Sequence, residues 1–134
     1  MIVHIMRFSF RPDTSEEARG SALAAFETLA ASEATEFSIV GNDIGDPSDG
    51  YTHAACVAVR DLERLRAYMF TPLHRAADLA ILPHIQKLTG FDFATEATPD
   101  LGDKVRALHQ ERVESSDYLG PLLEAIPELN LGGQ

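Results

Sequence analysis

His74 and Tyr68 are the side chains of this sequence best placed to carry out acid–base chemistry. Between them, Thr71 suits a helix N-cap and Pro72 suits the first position of a new helix. His74 then falls in the first turn, where the positive end of the helix dipole favours a neutral imidazole. A neutral histidine can accept a proton, and a nearby phenol can polarise or protonate an oxygen. The spacing is compatible with a His–Tyr acid–base pair, and equally with a histidine that only packs or caps.

Other histidines and several phenylalanines are candidates for the wall of a binding site around this pair. Alternation along the first and third predicted strands puts His4 and His53 on the helix-facing side of the sheet, below His74. Three histidines would then converge on one apolar cavity that suits a small apolar or phenolic ligand. In the alternative, each histidine is a hydrogen-bonded core residue. The predicted lining residues are His4, His53, Phe8, Phe26 and Phe91.

The sequence contains no clear motif for a metal or an organic cofactor. Three histidines and a water could hold zinc, but no two histidines have H-x-H or i,i+4 spacing. No glycine-rich loop joins a strand to a helix, and there is no nucleophile elbow. Cys56 lies among small apolar residues, a setting typical of a buried and inert thiol. We therefore expect neither a metal nor a cofactor.

Composition predicts a single globular body with no nucleic-acid or membrane partner. The chain has 134 residues, 45% of them hydrophobic, which is enough for one core. A formal net charge of −10 repels phosphate backbones and anionic lipid surfaces. No apolar run approaches the length of a membrane span, and the N-terminus is typical of a strand rather than a leader peptide. The single cysteine is consistent with a cytoplasmic location.

Hydrophobic periodicity predicts the element order β-α-β-β-α-β, which is the ferredoxin-like α+β fold. Four antiparallel strands would form one sheet with helices on one face. The predicted strands cover 2–10, 36–40, 51–59 and 87–95, and the helices cover 14–31 and 61–85 with a break at Thr71-Pro72. Residues 1–95 would form this domain. Residues 96–134 would form an acidic, helical C-terminal extension that docks on the body or on a partner subunit.

The helix-free face of the predicted sheet needs a cover. It carries Val3 and Ile5, and an uncovered apolar sheet face would be an unusually large exposed patch. We therefore expect a homodimer whose interface buries on the order of 1,500 Å² or more.

Three segments resemble the stress-responsive α/β-barrel domain family, which is part of the dimeric α/β-barrel group. They are the first strand at residues 2–13, the entry to the third strand at residues 50–54, and residues 68–74 together with Phe91-Asp92-Phe93. The resemblance implies the ferredoxin-like fold and a homodimer in which two sheets close a barrel. It covers about residues 1–95 and does not extend to the tail.

The same resemblance bears on function. A plant polyketide cyclase of this family closes its product by aldol condensation with a His–Tyr acid–base pair, and the matching positions here are His74 and Tyr68. Its pocket histidines match His4 and His53. One interpretation is cofactor-free acid–base chemistry, cyclase-like or lyase-like, on a carbonyl or polyketide-like compound. The other is a non-catalytic stress or assembly protein with structural histidines. An open, partly polar cavity beside His74 would favour the first.

Overall fold

The elements follow the predicted β-α-β-β-α-β order and continue into a helical extension. The computed structural model describes residues 1–131. Its elements are β1 (Ile2–Phe10), α1 (Glu16–Ala30), β2 (Phe37–Asn42), β3 (His53–Val59), α2 (Leu62–Met69), α3 (Pro72–Ile81), β4 (Ile85–Ala94), α4 (Leu101–Ser115), α5 (Leu119–Glu124) and β5 (Glu128–Asn130). The sheet order is β2-β3-β1-β4-β5. The ferredoxin-like α+β fold with a C-terminal helical extension is therefore confirmed.

The sheet has one strand more than the sequence predicts. β5 pairs with β4 in parallel, whereas all other strand pairs are antiparallel. The sheet is therefore mixed, with five strands. β5 is only three residues long, too short for an alternating pattern, and its pairing depends on where the tail returns to the body.

The break between α2 and α3 forms as predicted. The Thr71 hydroxyl accepts a hydrogen bond from the backbone N–H of His74 at 3.1 Å, and Pro72 occupies the first helical position. This cap places His74 in the first turn of α3. The helix predicted from residue 14 begins slightly later, because Ser15 is the N-cap whose hydroxyl accepts from the Ala18 N–H, and α1 starts at Glu16.

Strand register decides which side chains face the helices. His4 lies opposite Val57 on β3 and opposite Asp92 on β4, and these three side chains point toward the helices. Their neighbours, including Ile5 and its partner Phe91, point to the opposite face. The core lies on the helix-facing side, where Phe8, Phe26, Leu65, Ile81 and Ile85 are all buried.

The helix-free face is apolar and open. Ile39 is 65% exposed and Phe91 58%, and Phe37 and Phe93 are about half exposed. Register places all four on the side of Ile5. We call these exposed side chains the apolar face: Phe37 and Ile39 on β2, and Phe91 and Phe93 on β4.

The tail docks on the body, one of the two positions predicted for it. Val105, Leu108 and Ile126 belong to the main hydrophobic core, and Leu119 is also buried. On the surface, Arg66 on α2 makes a bidentate ion pair with Glu111 on α4, with N–O distances of 2.7 and 2.9 Å, and so links the tail to the body. No helix within residues 1–131 is both long enough and apolar enough to cross a membrane.

Candidate functional site

A cavity of about 310 Å³ lies between the helix-facing side of the sheet and the helices that cover it. Its walls are mainly apolar and include the predicted residues Phe8 and Phe26. The polar side chains that line it are His4, Ser38, Tyr68, His74, Asp78, Asp92, Arg106, His109 and Arg112. A mostly apolar cavity with a few convergent polar groups is the usual form of a small-molecule site.

Tyr68 and His74 form an edge-to-face pair at the α2–α3 break. Their ring centroids are 5.0 Å apart, with an interplanar angle of 76°. Tyr68 is buried, and the side chain of His74 is only 14% exposed. No protein hydrogen bond to the Tyr68 hydroxyl occurs within residues 1–131, so the phenol is available to a ligand in the cavity.

Asp78, one turn after His74 on α3, anchors the histidine. One carboxylate oxygen of Asp78 lies 3.4 Å from His74 Nδ1, 2.5 Å from the Arg112 guanidinium and 2.8 Å from the Tyr118 hydroxyl. Arg112 and Tyr118 both come from the tail. A carboxylate at Nδ1 favours the tautomer with hydrogen on Nδ1, which leaves Nε2 as the basic nitrogen.

Burial controls the protonation states of this group. It lowers the pKa of His74 below its ordinary value, against the opposing effect of the hydrogen bond to Asp78. It also raises the pKa of the Tyr68 phenol, and the nearby Asp78 charge adds to that increase. For Asp78 itself, burial would raise the pKa, but hydrogen bonds and charges from His74 and Arg112 outweigh it and hold the pKa below its usual range. At neutral pH the group therefore combines a neutral His, a protonated Tyr and an ionised Asp.

We expect the His74 ring to titrate below its ordinary pKa of about 6.5. In the unfolded chain His74 takes up a proton near that value, whereas the folded chain resists it. The free energy of unfolding should therefore fall as pH decreases from about 6.5 toward the folded pKa, and this residue should contribute no pH dependence at higher pH. NMR titration of the ring protons measures the value. His53 also has a lowered pKa, so His53→Gln identifies its signal. A raised His74 pKa would show that Asp78 outweighs burial.

A second carboxylate, Asp92 on β4, lies between two histidines. His4 Nδ1 is 2.5 Å from one of its oxygens, and His109 Nε2 from α4 is 3.0 Å from the other. The two imidazole rings are tilted against each other with centroids 5.7 Å apart. Burial would raise the pKa of Asp92, but the hydrogen bonds from His109 and His4 outweigh it and hold the pKa far below its ordinary value.

One predicted lining residue, His53, lies away from the cavity, and another, Phe91, only borders it. His53 stacks on Phe8 at 5.4 Å, makes an edge contact with Phe10, and lies 2.8 Å from the Thr52 hydroxyl. It is absent from the cavity wall, so the predicted convergence of His4, His53 and His74 is wrong. Phe91 borders the cavity, but its pairing with Ile5 turns its ring to the apolar face.

Five residues of the site's hydrogen-bond network lie outside the set predicted from the sequence. Asp92 lay within a segment used for the family resemblance, and its alternation with Phe91 and Phe93 was the available signal. The i,i+4 spacing from His74 to Asp78 is the signal that the sequence offers for Asp78. His109, Arg112 and Tyr118 come from the tail, and a local sequence pattern does not predict contacts between residues so far apart in the chain. The missed residues are Asp78, Asp92, His109, Arg112 and Tyr118.

Comparison with known proteins finds a family match for residues 2–95. A family model described as Dabb, the stress responsive A/B barrel domain, matches residues 2–95. The helices α4 and α5 lie beyond that match. No curated protein matches the sequence.

Several solved structures are similar to the chain. A dimeric ferredoxin-like protein of unknown function from Thermobifida fusca YX has 26% identity and a TM-score of 0.62, covering 69% of this chain and 89% of that one. Hydroxynitrile lyase from Passiflora edulis has 18% identity and a TM-score of 0.63, covering 73% and 96%. A Dabb family protein with a ferredoxin-like fold from Mesorhizobium loti has 18% identity and a TM-score of 0.62, covering 72% and 97%. Identities of this size in the last two indicate a shared fold alone.

Proposed function

The chain belongs to the stress responsive A/B barrel domain (Dabb) family, and from that premise we propose that it is a homodimer that binds a small carbonyl compound and acts on it by acid–base catalysis. His74 is the base and Tyr68 is the acid or hydrogen-bond donor. The observation that carries the proposal is the placement of a neutral His74, tethered by Asp78, against the Tyr68 phenol on the wall of an apolar cavity.

The protonation states suit this division of roles. Nε2 of His74 would remove a proton from the carbon beside a carbonyl group, while the Tyr68 hydroxyl donates a hydrogen bond to the carbonyl oxygen. The oxygen gains negative charge as the proton leaves, and a phenol that stays protonated can stabilise that charge. The ionised Asp78 then stabilises the imidazolium that forms. The enolate could go on to aldol closure or to cleavage of the ligand.

The comparisons support this class of chemistry without specifying a substrate. One structural neighbour is named a hydroxynitrile lyase, and others are described as proteins of unknown function. The walls of the cavity, which include Phe8, Phe26 and Leu65, favour a mainly apolar or aromatic body on the ligand.

The proposed dimer forms through the apolar face. Phe37 and Ile39 on β2 and Phe91 and Phe93 on β4 are exposed apolar side chains on the face without helices. Burying them removes apolar surface from water, which is the main driving force for stable association. Structural neighbours described as dimeric support a dimeric state.

A second candidate function is non-catalytic, with the dimer itself as the product. The observation that favours it is that the carboxylates at the site already have protein donors. Asp78 has three donors close to one oxygen, and Asp92 lies between two histidines. A polar network whose groups are all paired can have a purely structural role, here the fixing of the position of the tail on the body.

A double-mutant cycle separates these two functions. Tyr68→Phe and His74→Ala should each weaken binding or turnover by roughly tenfold or more in a screen of phenols, β-ketoacids and short polyketides. The double variant should lose clearly less than the sum, because removing either partner already disables the pair. Tyr51→Phe and His84→Ala are the matched controls, since neither residue lines the cavity.

The non-catalytic alternative predicts a different pattern for the same variants. His74→Ala would then mainly reduce stability, by about 1–3 kcal/mol for a lost hydrogen bond and some cavity. Thermal melts and ligand titrations on identical samples distinguish the outcomes. Large losses of melting temperature with no ligand found in the screen would reject the His74–Tyr68 pair as a functional unit.

A further inference from the structure

His4, Asp92 and His109 bring two imidazole nitrogens and one carboxylate oxygen together on the cavity wall. These three donor atoms all lie within 4.8 Å of one another. The side chains are largely shielded, with 23%, 18% and 17% exposure respectively. We propose that this cluster binds a divalent first-row transition-metal ion such as Zn²⁺, Co²⁺ or Fe²⁺.

The donor set suits that class of ion. Two imidazole nitrogens and one carboxylate oxygen form the facial triad common in metal sites that keep open positions. Metal–ligand bonds of about 2.0–2.2 Å place neighbouring donor atoms about 3 Å apart. His4 Nδ1 lies 2.5 Å from one oxygen of Asp92 and His109 Nε2 lies 3.0 Å from the other, and the three donor atoms are within 4.8 Å of one another, so small side-chain adjustments would bring them around one ion.

The charge around Asp92 is a second, independent argument. The other shielded carboxylate of the site, Asp78, has Arg112 as its counterion. In the part of the chain that the structure describes, no lysine or arginine pairs with Asp92, whose partners are the two histidines. A shielded carboxylate whose partners are two imidazole rings, with no fixed cation beside it, is a typical ligand for a divalent metal ion, which would add a permanent positive charge at Asp92.

The supporting elements also favour a preformed site. His4 and Asp92 are directly opposite each other on the paired strands β1 and β4, so the sheet fixes two of the three ligands. His109 comes from α4, beyond the residues matched by the family. A bound ion would therefore fasten the tail to the sheet. Its remaining coordination positions would be open to the cavity, where a water or an oxygen of the ligand could occupy them.

This inference goes beyond the proposed function, which requires only His74, Tyr68 and Asp78. The two fail separately: Tyr68→Phe removes the acid–base pair and leaves all three metal ligands in place. A metal-binding measurement on that variant therefore reports on the cluster alone.

The test uses the full chain, stripped of metal with a chelator and titrated with Zn²⁺ and with Co²⁺. We expect one ion per chain, a visible Co²⁺ absorption band, and a higher melting temperature with metal. His109→Ala and Asp92→Ala each remove a direct ligand, so each should weaken binding by at least the roughly 10- to 100-fold that loss of an outer-shell partner costs. His84→Ala should bind as the wild type does, because His84 lies outside the cluster.

Two results would overturn the proposal. One is wild-type affinity no tighter than that of His109→Ala, and the other is loss of the Co²⁺ band in the His84→Ala control. If Asp92→Ala does not fold, His109→Gln replaces it, because this side chain lies on the tail. Limited proteolysis then provides another measurement: Zn²⁺ should slow cleavage of the tail in the wild type but not in His109→Gln. Equal cleavage with and without Zn²⁺ in the wild type would also count against the site.

Discussion

Asp78→Ala is expected to lower the free energy of unfolding by about 3–5 kcal/mol, the usual cost of removing one partner from a shielded ion pair. Asp78 is the common acceptor for Arg112, Tyr118 and His74, and its side chain is only 9% exposed. Its removal leaves the Arg112 guanidinium without a counterion in a shielded place and deprives the Tyr118 hydroxyl of its acceptor. Urea unfolding at a fixed protein concentration measures the change, since association would otherwise shift the apparent stability.

Two comparison variants test whether the loss at Asp78 comes from an unpaired charge. Asp78→Leu combined with Arg112→Leu should recover much of the stability, because it removes both charges at once. Asp117→Ala is the surface control: its partner Arg75 is well exposed, so the loss should stay below about 1 kcal/mol. If the double variant were as unstable as Asp78→Ala, the unpaired Arg112 charge would not be the cause.

The second large effect is expected at the apolar face. The wild type should behave as a dimer at low micromolar concentration, and Ile39→Asp with Phe93→Asp should convert it to a folded monomer. Both side chains are about half or more exposed in the single chain, on strands at opposite sides of β1. A charge on each must be desolvated before the two faces can meet, and unpaired charges at an interface cost several kcal/mol. Static light scattering measures the mass, and circular dichroism reports whether the monomer remains folded.

A matched control uses an exposed apolar residue on another surface. Leu79 on α3 is 47% exposed and lies on the helical side of the molecule, away from the apolar face. Leu79→Asp should leave the dimer intact. A wild-type mass equal to one chain at low micromolar concentration would contradict the dimer outright, and dissociation by Leu79→Asp would place the interface elsewhere.

Much of the site follows from local pattern. Alternation along β1 assigns His4 and Phe8 to the helix-facing side, and the Thr71 cap fixes where α3 begins and so places His74 near Tyr68. These inferences hold because each depends on a few consecutive residues whose backbone geometry dictates side-chain direction. The apolar helix-free face follows from the same alternation.

Alternation does not predict which residues of two strands lie side by side, and His53 is an example. His53 shares a face with Val57, as alternation predicts, but its partner on β1 is Phe8, whereas His4 lies opposite Val57. Four residues of extended strand separate these positions by about 13 Å. His53 therefore packs at the far end of the sheet from His4. The register between distant strands, which alternation alone does not specify, decides this separation.

The sequence by itself determined the order of the elements, the side of the sheet on which the candidate site lies, and the placement of Tyr68 near His74 at one helix start. Only the tertiary structure decided that the tail completes the site. His109, Arg112 and Tyr118 reach Asp92 and Asp78 across 17, 34 and 40 residues of chain. Such contacts depend on how amphipathic helices dock against a shared core, and many docking arrangements bury the same apolar stripe. Asp92 and Asp78 favour one of those arrangements, because a shielded carboxylate needs hydrogen-bond donors and the tail brings His109, Arg112 and Tyr118 to them.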